Sequence, residues 1–322
     1  MCVAVVCTVS GRAQPSPAAT ASAKEAAAAT SLNFVALTDP VALAWPKDAP
    51  TPKKPLMPLL TDWEGDQQPD LLVSDGDGKL WLVRLAADHA VALKSAEAVK
   101  AGGKEISLGK VFQPNYVDMD GDGIPDLIAA RDRHVLVFHN SGTREKPEFD
   151  DWTFAGSYKS PVLLPEDAGP RLEVADWDRN GLPDLVAGTW SGAVVVFLNH
   201  GTRKLAMYET ALHVTVENKP LKKAYICSVR FLDVTGDGAA DLVLGINYSY
   251  ISVYENRTRL SMPMLRKEAK VLGSDGGPFE ARKLTDIKHI FPAIGDVDGD
   301  HVADVVFGNE SEKLFFAKGI KR

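Results

Sequence analysis

The chain has 322 residues, with 45% hydrophobic and 25% charged side chains and a formal net charge of −7. These are globular values: they exclude a fibrous or low-complexity chain, and no apolar run approaches the ~20 residues of a membrane span. There is no basic surplus of the kind a nucleic-acid partner requires.

The first segment, Met1 to Ser10, is short and apolar, and Ala/Pro/Ser/Thr-rich sequence follows it through Thr30. It reads as a signal-peptide core, cleaved near Ala13 or after Ala23, although the usual basic residues at its start are missing. Residues 1–31 are therefore assigned to a signal peptide and linker, and the chain to a secreted, periplasmic or cell-surface location. Cys2 and Cys7 fall in that segment, which leaves Cys227. A single cysteine makes no internal disulfide, and within Ala224–Val229 it reads as buried packing rather than a nucleophile.

After Asn33–Thr38, an apolar stretch with the length of one strand, an acidic loop recurs five times. Its copies begin at Asp62, Asp118, Asp176, Asp233 and Asp296, with spacings of 56, 58, 57 and 63 residues. Positions 1, 3, 5 and 9 carry oxygen side chains in every copy. They are Asp62, Glu64, Asp66 and Asp70; Asp118, Asp120, Asp122 and Asp126; Asp176, Asp178, Asn180 and Asp184; Asp233, Thr235, Asp237 and Asp241; and Asp296, Asp298, Asp300 and Asp304. Several oxygens around a tight turn suit a hard cation such as Ca²⁺, so up to five calcium ions are expected. The backbone carbonyl at position 7 (Gln68, Ile124, Leu182, Ala239, Val302) would add a further ligand.

An EF-hand is excluded. It needs a bidentate Glu at position 12, where this chain has Val73, Ala129, Ala187, Leu244 and Phe307. A β-rich run such as Asp184-Leu-Val-Ala-Gly188 follows each loop instead, so position 9 opens a strand and the loop is a hairpin turn. The loops hold 18 of the 43 acidic residues, and five Ca²⁺ would move the formal charge from −7 to +3. Loop 2, with four aspartates and Gly123, should bind most tightly. Loops 1 and 4 depart most from the oxygen-rich set, through Glu64 with Gln67 and through Thr235.

Each period accommodates about four strands. For the second they fall at Tyr116–Val117, Leu127–Ala130, Val135–His139 and near Phe149–Phe154. A second landmark recurs in register at Asn140-Ser-Gly-Thr, Asn199-His-Gly-Thr and Asn256-Arg-Thr. The period is somewhat above the roughly 40–50 residues of familiar propeller blades and points to a radial array of small antiparallel sheets. The chain ends on a third strand, Leu314–Lys318, so the stretch at Asn33–Thr38 is expected to complete the last of five blades and close the ring. Prolines 58, 114 and 292 on the inner strands agree with an unpaired edge at a central channel.

These loops and strands resemble the FG-GAP/VCBS repeats of bacterial secreted proteins, related to the calcium-binding propeller repeats of integrin α subunits, over about residues 32–322. The resemblance implies an all-β propeller with calcium in its hairpin loops, and the count of loops and strands sets the number of blades at five. It says little about function, because such propellers occur in adhesins, lectin-like proteins and polysaccharide-processing enzymes.

Candidate ligand residues lie at the sheet ends opposite the acidic loops. Trp190, Tyr248 and Tyr250 sit at turns beside Asn and Ser, as sugar-stacking rings do, and Arg131 and Arg133 with His134 suit carboxylate or sulfate groups. The main expectation is a monomeric binding module for extracellular glycans. A lyase or hydrolase acting on anionic polysaccharides would use His289, Lys288, Tyr225, Lys222, Lys223 and Arg171 near the channel mouth, and a protein-adhesion scaffold is the third reading. Asn115, Glu173 and Arg230 share one position, three before the loop aspartate, and Glu173 is expected to pair with Arg230 across adjacent blades.

Overall fold

The computed structural model describes residues 36–86, 91–157, 160–169, 171–247, 250–280 and 289–320. The segment 1–31, the residues 33–35, Tyr248 and Lys288 lie outside the described residues. Five four-stranded antiparallel sheets make a five-bladed propeller, with no helix among the described residues.

Blade 1 runs from its inner strand outward through Met57–Thr61, Asp70–Ser74, Leu80–Leu85 and Leu93–Ala98. Blade 2 uses Asn115–Val117, Asp126–Arg131, His134–Phe138 and Thr153–Phe154. Blade 3 has Leu172–Ala175, Asp184–Gly188, Val194–Phe197 and Leu212–His213. Blade 4 has Ile226–Leu232, Asp241–Ile246, Tyr250–Tyr254 and Ala269–Lys270. In blade 5, Phe291–Gly295, Asp304–Gly308 and Leu314–Ala317 are joined by Val41–Leu43 as the fourth strand.

That fourth strand lies later in the chain than the stretch at Asn33–Thr38. Val41 pairs with Phe316 and Leu43 with Leu314, while Ala36–Leu37 pairs with Gly319–Ile320 beyond the third strand. The outer strand of blade 2 is likewise shorter than the sequence suggests. Phe149 makes only isolated bridges, to Asn140 and Ala101, before Thr153–Phe154 joins the sheet.

The second strand of every blade is buried on both faces, which is why its sequence is an unbroken apolar run rather than an alternating one. Period-two geometry sends successive residues to opposite neighbours. Ile128 packs toward blade 3 and Leu127 toward blade 1; Val243 packs toward blade 5 and Leu242 toward blade 3. Five apolar clusters fill the five gaps between blades, the last pairing Val306 and Phe316 of blade 5 with Leu71 and Val83 of blade 1.

At the axis the inner strands carry polar groups that satisfy one another across blades. Gln113 Nε2 donates to Leu172 O at 2.7 Å and Val229 O at 2.6 Å, and Arg230 donates to Pro58 O at 2.8 Å and Pro292 O at 3.4 Å. Blades 2 to 5 and blade 1 thus meet in one hydrogen-bonded group. Pro58 and Pro292 lie in inner strands, where no further strand needs their missing N–H, whereas Pro114 falls just before its strand. Cys227 is buried beside Met57 and Phe291, and burial pushes its thiol up to about 12, as for a packing residue.

Candidate functional site

All five acidic loops join an inner strand to a second strand, so they lie at the same end of their sheets. Each is wound by its own side chains. In loop 2 the Asp118 carboxylate accepts from Gly121 N at 2.6 Å and Gly123 N at 3.2 Å, Asp120 accepts from Asp122 N at 3.1 Å, and Asp122 from Ile124 N at 2.7 Å. The turn needs positive φ at positions 4 and 6. Glycine supplies both in loops 2 and 4; Gln67, Arg179 and His301 adopt it at 66°, 59° and 64° in loops 1, 3 and 5.

The position-9 aspartate is buried in every blade and holds two elements together. In blade 3, Asp184 Oδ2 accepts from Trp177 N at 2.8 Å and Oδ1 from Asn199 N at 2.7 Å. Blade 2 repeats this with Met119, Asp126 and Asn140, and blade 4 with Val234, Asp241 and Asn256. This explains the recurrent asparagine, whose backbone N–H meets the aspartate and whose Oδ1 caps the following turn at Gly142, Gly201 or Thr258. Burial pushes Asp184, Asp241 and Asp304 up to about 6, and the backbone N–H donors only partly offset it. Asp70, Asp126 and Asp176 shift in the same direction for the same reason.

Carboxylates close enough to share one ion occur in three loops among the described residues. Asp118, Asp120 and Asp122 form one group, Asp176, Asp178 and Asp184 a second, and Asp296, Asp298 and Asp300 a third, each with ligand atoms within 4.8 Å of one another. Asp120 and Asp126 also gather with His139. The three carboxylate groups are all-oxygen sets, which fit a hard divalent cation. In loop 3, Asn180 Oδ1 accepts from Leu182 N at 2.7 Å, as an aspartate does at that position elsewhere, while its Nδ2 donates to Asn199 O.

Two sets of residues around the loops escaped the sequence reading. Arg144 and Arg203, four residues beyond the recurrent asparagine, reach back to the preceding blade and donate to Asp62 O at 3.1 Å and Asp118 O at 2.9 Å. The other set faces the position-9 aspartate from the third strand: Asp70 pairs with Arg84, and the same register places His139, Leu198, Glu255 and Lys318 opposite Asp126, Asp184, Asp241 and Asp304. The signal is a residue 13 or 14 positions after the aspartate, visible only once the hairpin register is known.

At the other end of the sheets, Trp190 is gathered with Arg171, Tyr225 and His289. The Arg171 guanidinium lies 3.7 Å from the Trp190 ring centroid, and Tyr225 and His289 meet that ring edge-on at 6.0 and 5.6 Å. Arg171 is buried, donates to Ala168 O at 2.9 Å, and leaves Nε without a hydrogen-bond partner. Burial lowers it to about 10. Tyr225 is 50% exposed and holds φ at +51°, a conformation costly for an aromatic residue. His289 Nδ1 contacts the Glu310 carboxylate, and Lys223 is ion-paired with Glu268.

The other ligand candidates have partners of their own. Arg131 stacks on Trp152 at 5.2 Å, Arg133 Nε donates to Leu164 O at 2.8 Å, and Tyr250 donates to Glu280 at 3.1 Å beneath Lys270.

Residues 118–187 and 176–244 match the FG-GAP-like repeat family. No curated protein matches the chain. Among solved structures it is similar to the Tc holotoxin pore of Photorhabdus luminescens, at 15% identity and a TM-score of 0.45, over 89% of this chain and 15% of that one. It is also similar to an Agrocybe aegerita lectin that recognises non-reducing terminal N-acetylglucosamine, at 21% identity and a TM-score of 0.36, over 68% of this chain and 52% of the lectin. Neither likeness carries an argument about what this chain binds. Residues 118–244, from the acidic loop of blade 2 into the second strand of blade 4, are thus FG-GAP-like repeats, the repeat family that the loops and strands resemble in sequence.

Proposed function

We propose that this protein is a secreted, calcium-stabilised propeller that serves as an interaction module, closed by its N-terminal strand and directed at extracellular glycans. The observation that carries the glycan reading is the group formed by Trp190, Tyr225 and His289 around a buried arginine, at the end away from the acidic loops. Partly exposed rings offer apolar faces to a sugar while their polar edges stay wet, and Tyr225 in a strained backbone conformation is the kind of feature found at binding sites.

The calcium reading is supported by the three groups of close carboxylates and by the single, unbridged thiol among the described residues. Calcium there would neutralise carboxylates that otherwise repel one another, and Asp118, Asp176 and Asp296 with their loop partners would hold it. The chemistry it supplies is structural, since each loop ties an inner strand to a second strand.

A second reading, a protein-binding scaffold, is favoured by one further observation. Turns of blades 3 and 4 expose Leu205, Met207, Leu260, Met262 and Met264, with Leu260 76% exposed. Adaptable methionines on a surface suit a protein partner. A glycan array probed with wild type and with a Trp190→Ala variant separates the two. Binding lost in the variant supports the glycan site; binding to no glycan moves the reading to the scaffold.

A further inference from the structure

The acidic loop of blade 1 does not fit a metal ion, and one side chain is responsible. Arg84 stands opposite Asp70 in the pairing of the second and third strands. Its Nη1 donates to Asp70 Oδ2 at 2.8 Å and its Nη2 to Glu64 Oε1 at 2.6 Å. Those are positions 9 and 3, two of the four side chains that would have to face an ion. The guanidinium is only 25% exposed, so it is held in a fixed fork rather than waving in solvent.

Arg144 of blade 2 adds a second positive charge, 3.7 Å from Asp62 Oδ2. It does not decide the matter, because Arg203 stands equally close to Asp118, at 3.5 Å, in a loop whose carboxylates remain gathered. The third-strand residue is what differs. Blade 3 has Leu198 there, with no charge to oppose an ion. Blade 5 has Lys318, which contacts Asp298 and lies 2.9 Å from Asp300, yet its three carboxylates stay within reach of one another. A single ammonium on a flexible stem, 42% exposed, yields more readily than a two-pronged guanidinium. In blade 1 no such trio forms among the described residues, although its loop carries four carboxylates; blade 4 also lacks one, but there Thr235 leaves only three.

We propose that Arg84 is the built-in counter-ion of blade 1: this loop takes no metal, and the guanidinium neutralises its carboxylates and ties the loop to the third strand. The contrast with the other loops rests on the calcium reading above, whereas the role of Arg84 stands on its own contacts. Loss of Arg84 would leave Glu64 and Asp70 without their partner. It would also free oxygens for an ion, including Asp62 Oδ1, which is buried without a hydrogen-bond partner.

The test measures calcium bound to the full chain, by equilibrium dialysis and native mass spectrometry, together with melting in EDTA. Asp66→Asn should bind as many ions as wild type, and Asp176→Asn one fewer. Arg84→Leu should melt lower than wild type in EDTA and bind one ion more when calcium is supplied. Loss of an ion in Asp66→Asn overturns the proposal, as does an Arg84→Leu variant that gains none while wild type binds calcium. If no variant binds calcium, the metal reading fails by itself, and melting in EDTA decides on Arg84: an unchanged curve for Arg84→Leu removes its role. Should the leucine variant not fold, Arg84→Lys replaces it, and the Asp66→Asn count still decides.

Discussion

Arg230 on blade 4 and Glu173 on blade 3 form an ion pair at 3.0 Å beside the propeller axis, both side chains largely shielded from solvent. The carboxylate also accepts from Phe231 N at 3.3 Å and from Gln113, and the guanidinium reaches the Pro58 carbonyl of blade 1. The pair is therefore a junction among blades, as its shared place in the repeat led us to expect.

Arg230→Ala should cost about 3–5 kcal/mol of unfolding free energy, because it leaves a buried carboxylate without its counter-charge and removes the donor to two inner-strand carbonyls. Burial already holds Glu173 above the usual carboxylate range. A carboxyl group whose folded-state pKa is raised contributes stability that is present below its unfolded pKa and lost as pH rises through the folded one. The deficit of the variant should therefore shrink as pH falls toward about 4.5. A pH-independent deficit in denaturant titrations would contradict this.

The same sign governs the position-9 aspartates. Asp184, Asp241 and Asp304 sit at about 6 without metal. Their contribution to calcium-free stability is complete below about 3.8 and is lost as pH rises through about 6. Calcium needs the ionised forms, so its stabilising effect should grow over that same interval. Melting curves at pH 5 and 7.5, with and without EDTA, should show the calcium increment larger at pH 7.5; the reverse order would refute the assignment.

The repeat, its hairpin turns and the five blades were legible in the sequence because each depends on local chemistry repeated in register: acidic turn residues, the asparagine echo and an apolar second strand. The fourth strand of blade 5 was misplaced, at Asn33–Thr38 instead of Val41–Leu43, because both stretches are short and apolar and only pairing with Phe316 distinguishes them. Arg84 and Lys318 were passed over because their relation to the loops runs across strands. Trp190 and the channel-mouth group of Arg171, Tyr225 and His289 were both identified, but as separate sites; that the Trp190 ring meets the other three depends on packing between interblade connections, which sequence spacing does not show.

Strand Val41–Leu43 covers the edge of Leu314–Ala317. Deleting residues through Leu43 should expose that edge and produce aggregation or a loss of cooperative unfolding, whereas deleting residues 1–23 should change neither. A stable monomeric product of the longer deletion, seen by size-exclusion chromatography, would contradict closure by this strand.

Tyr225→Gly removes a side chain held at φ +51° and is predicted to leave stability unchanged or raise it by about 1 kcal/mol. Glycan binding should fall at the same time. Trp190→Ala should also abolish binding but lower stability by about 1–2 kcal/mol, because its ring covers the Arg171 guanidinium. Binding retained in both variants would place the ligand elsewhere.

The most direct test of calcium as the staple of this fold is thermal melting of the wild-type chain at pH 7.5 in EDTA and in excess Ca²⁺. Three ions at a hundred-fold excess over their Kd would contribute about 8 kcal/mol by mass action, enough to raise Tm by more than about 10 °C. Coincident curves, with no calcium found in the purified protein, would contradict the account.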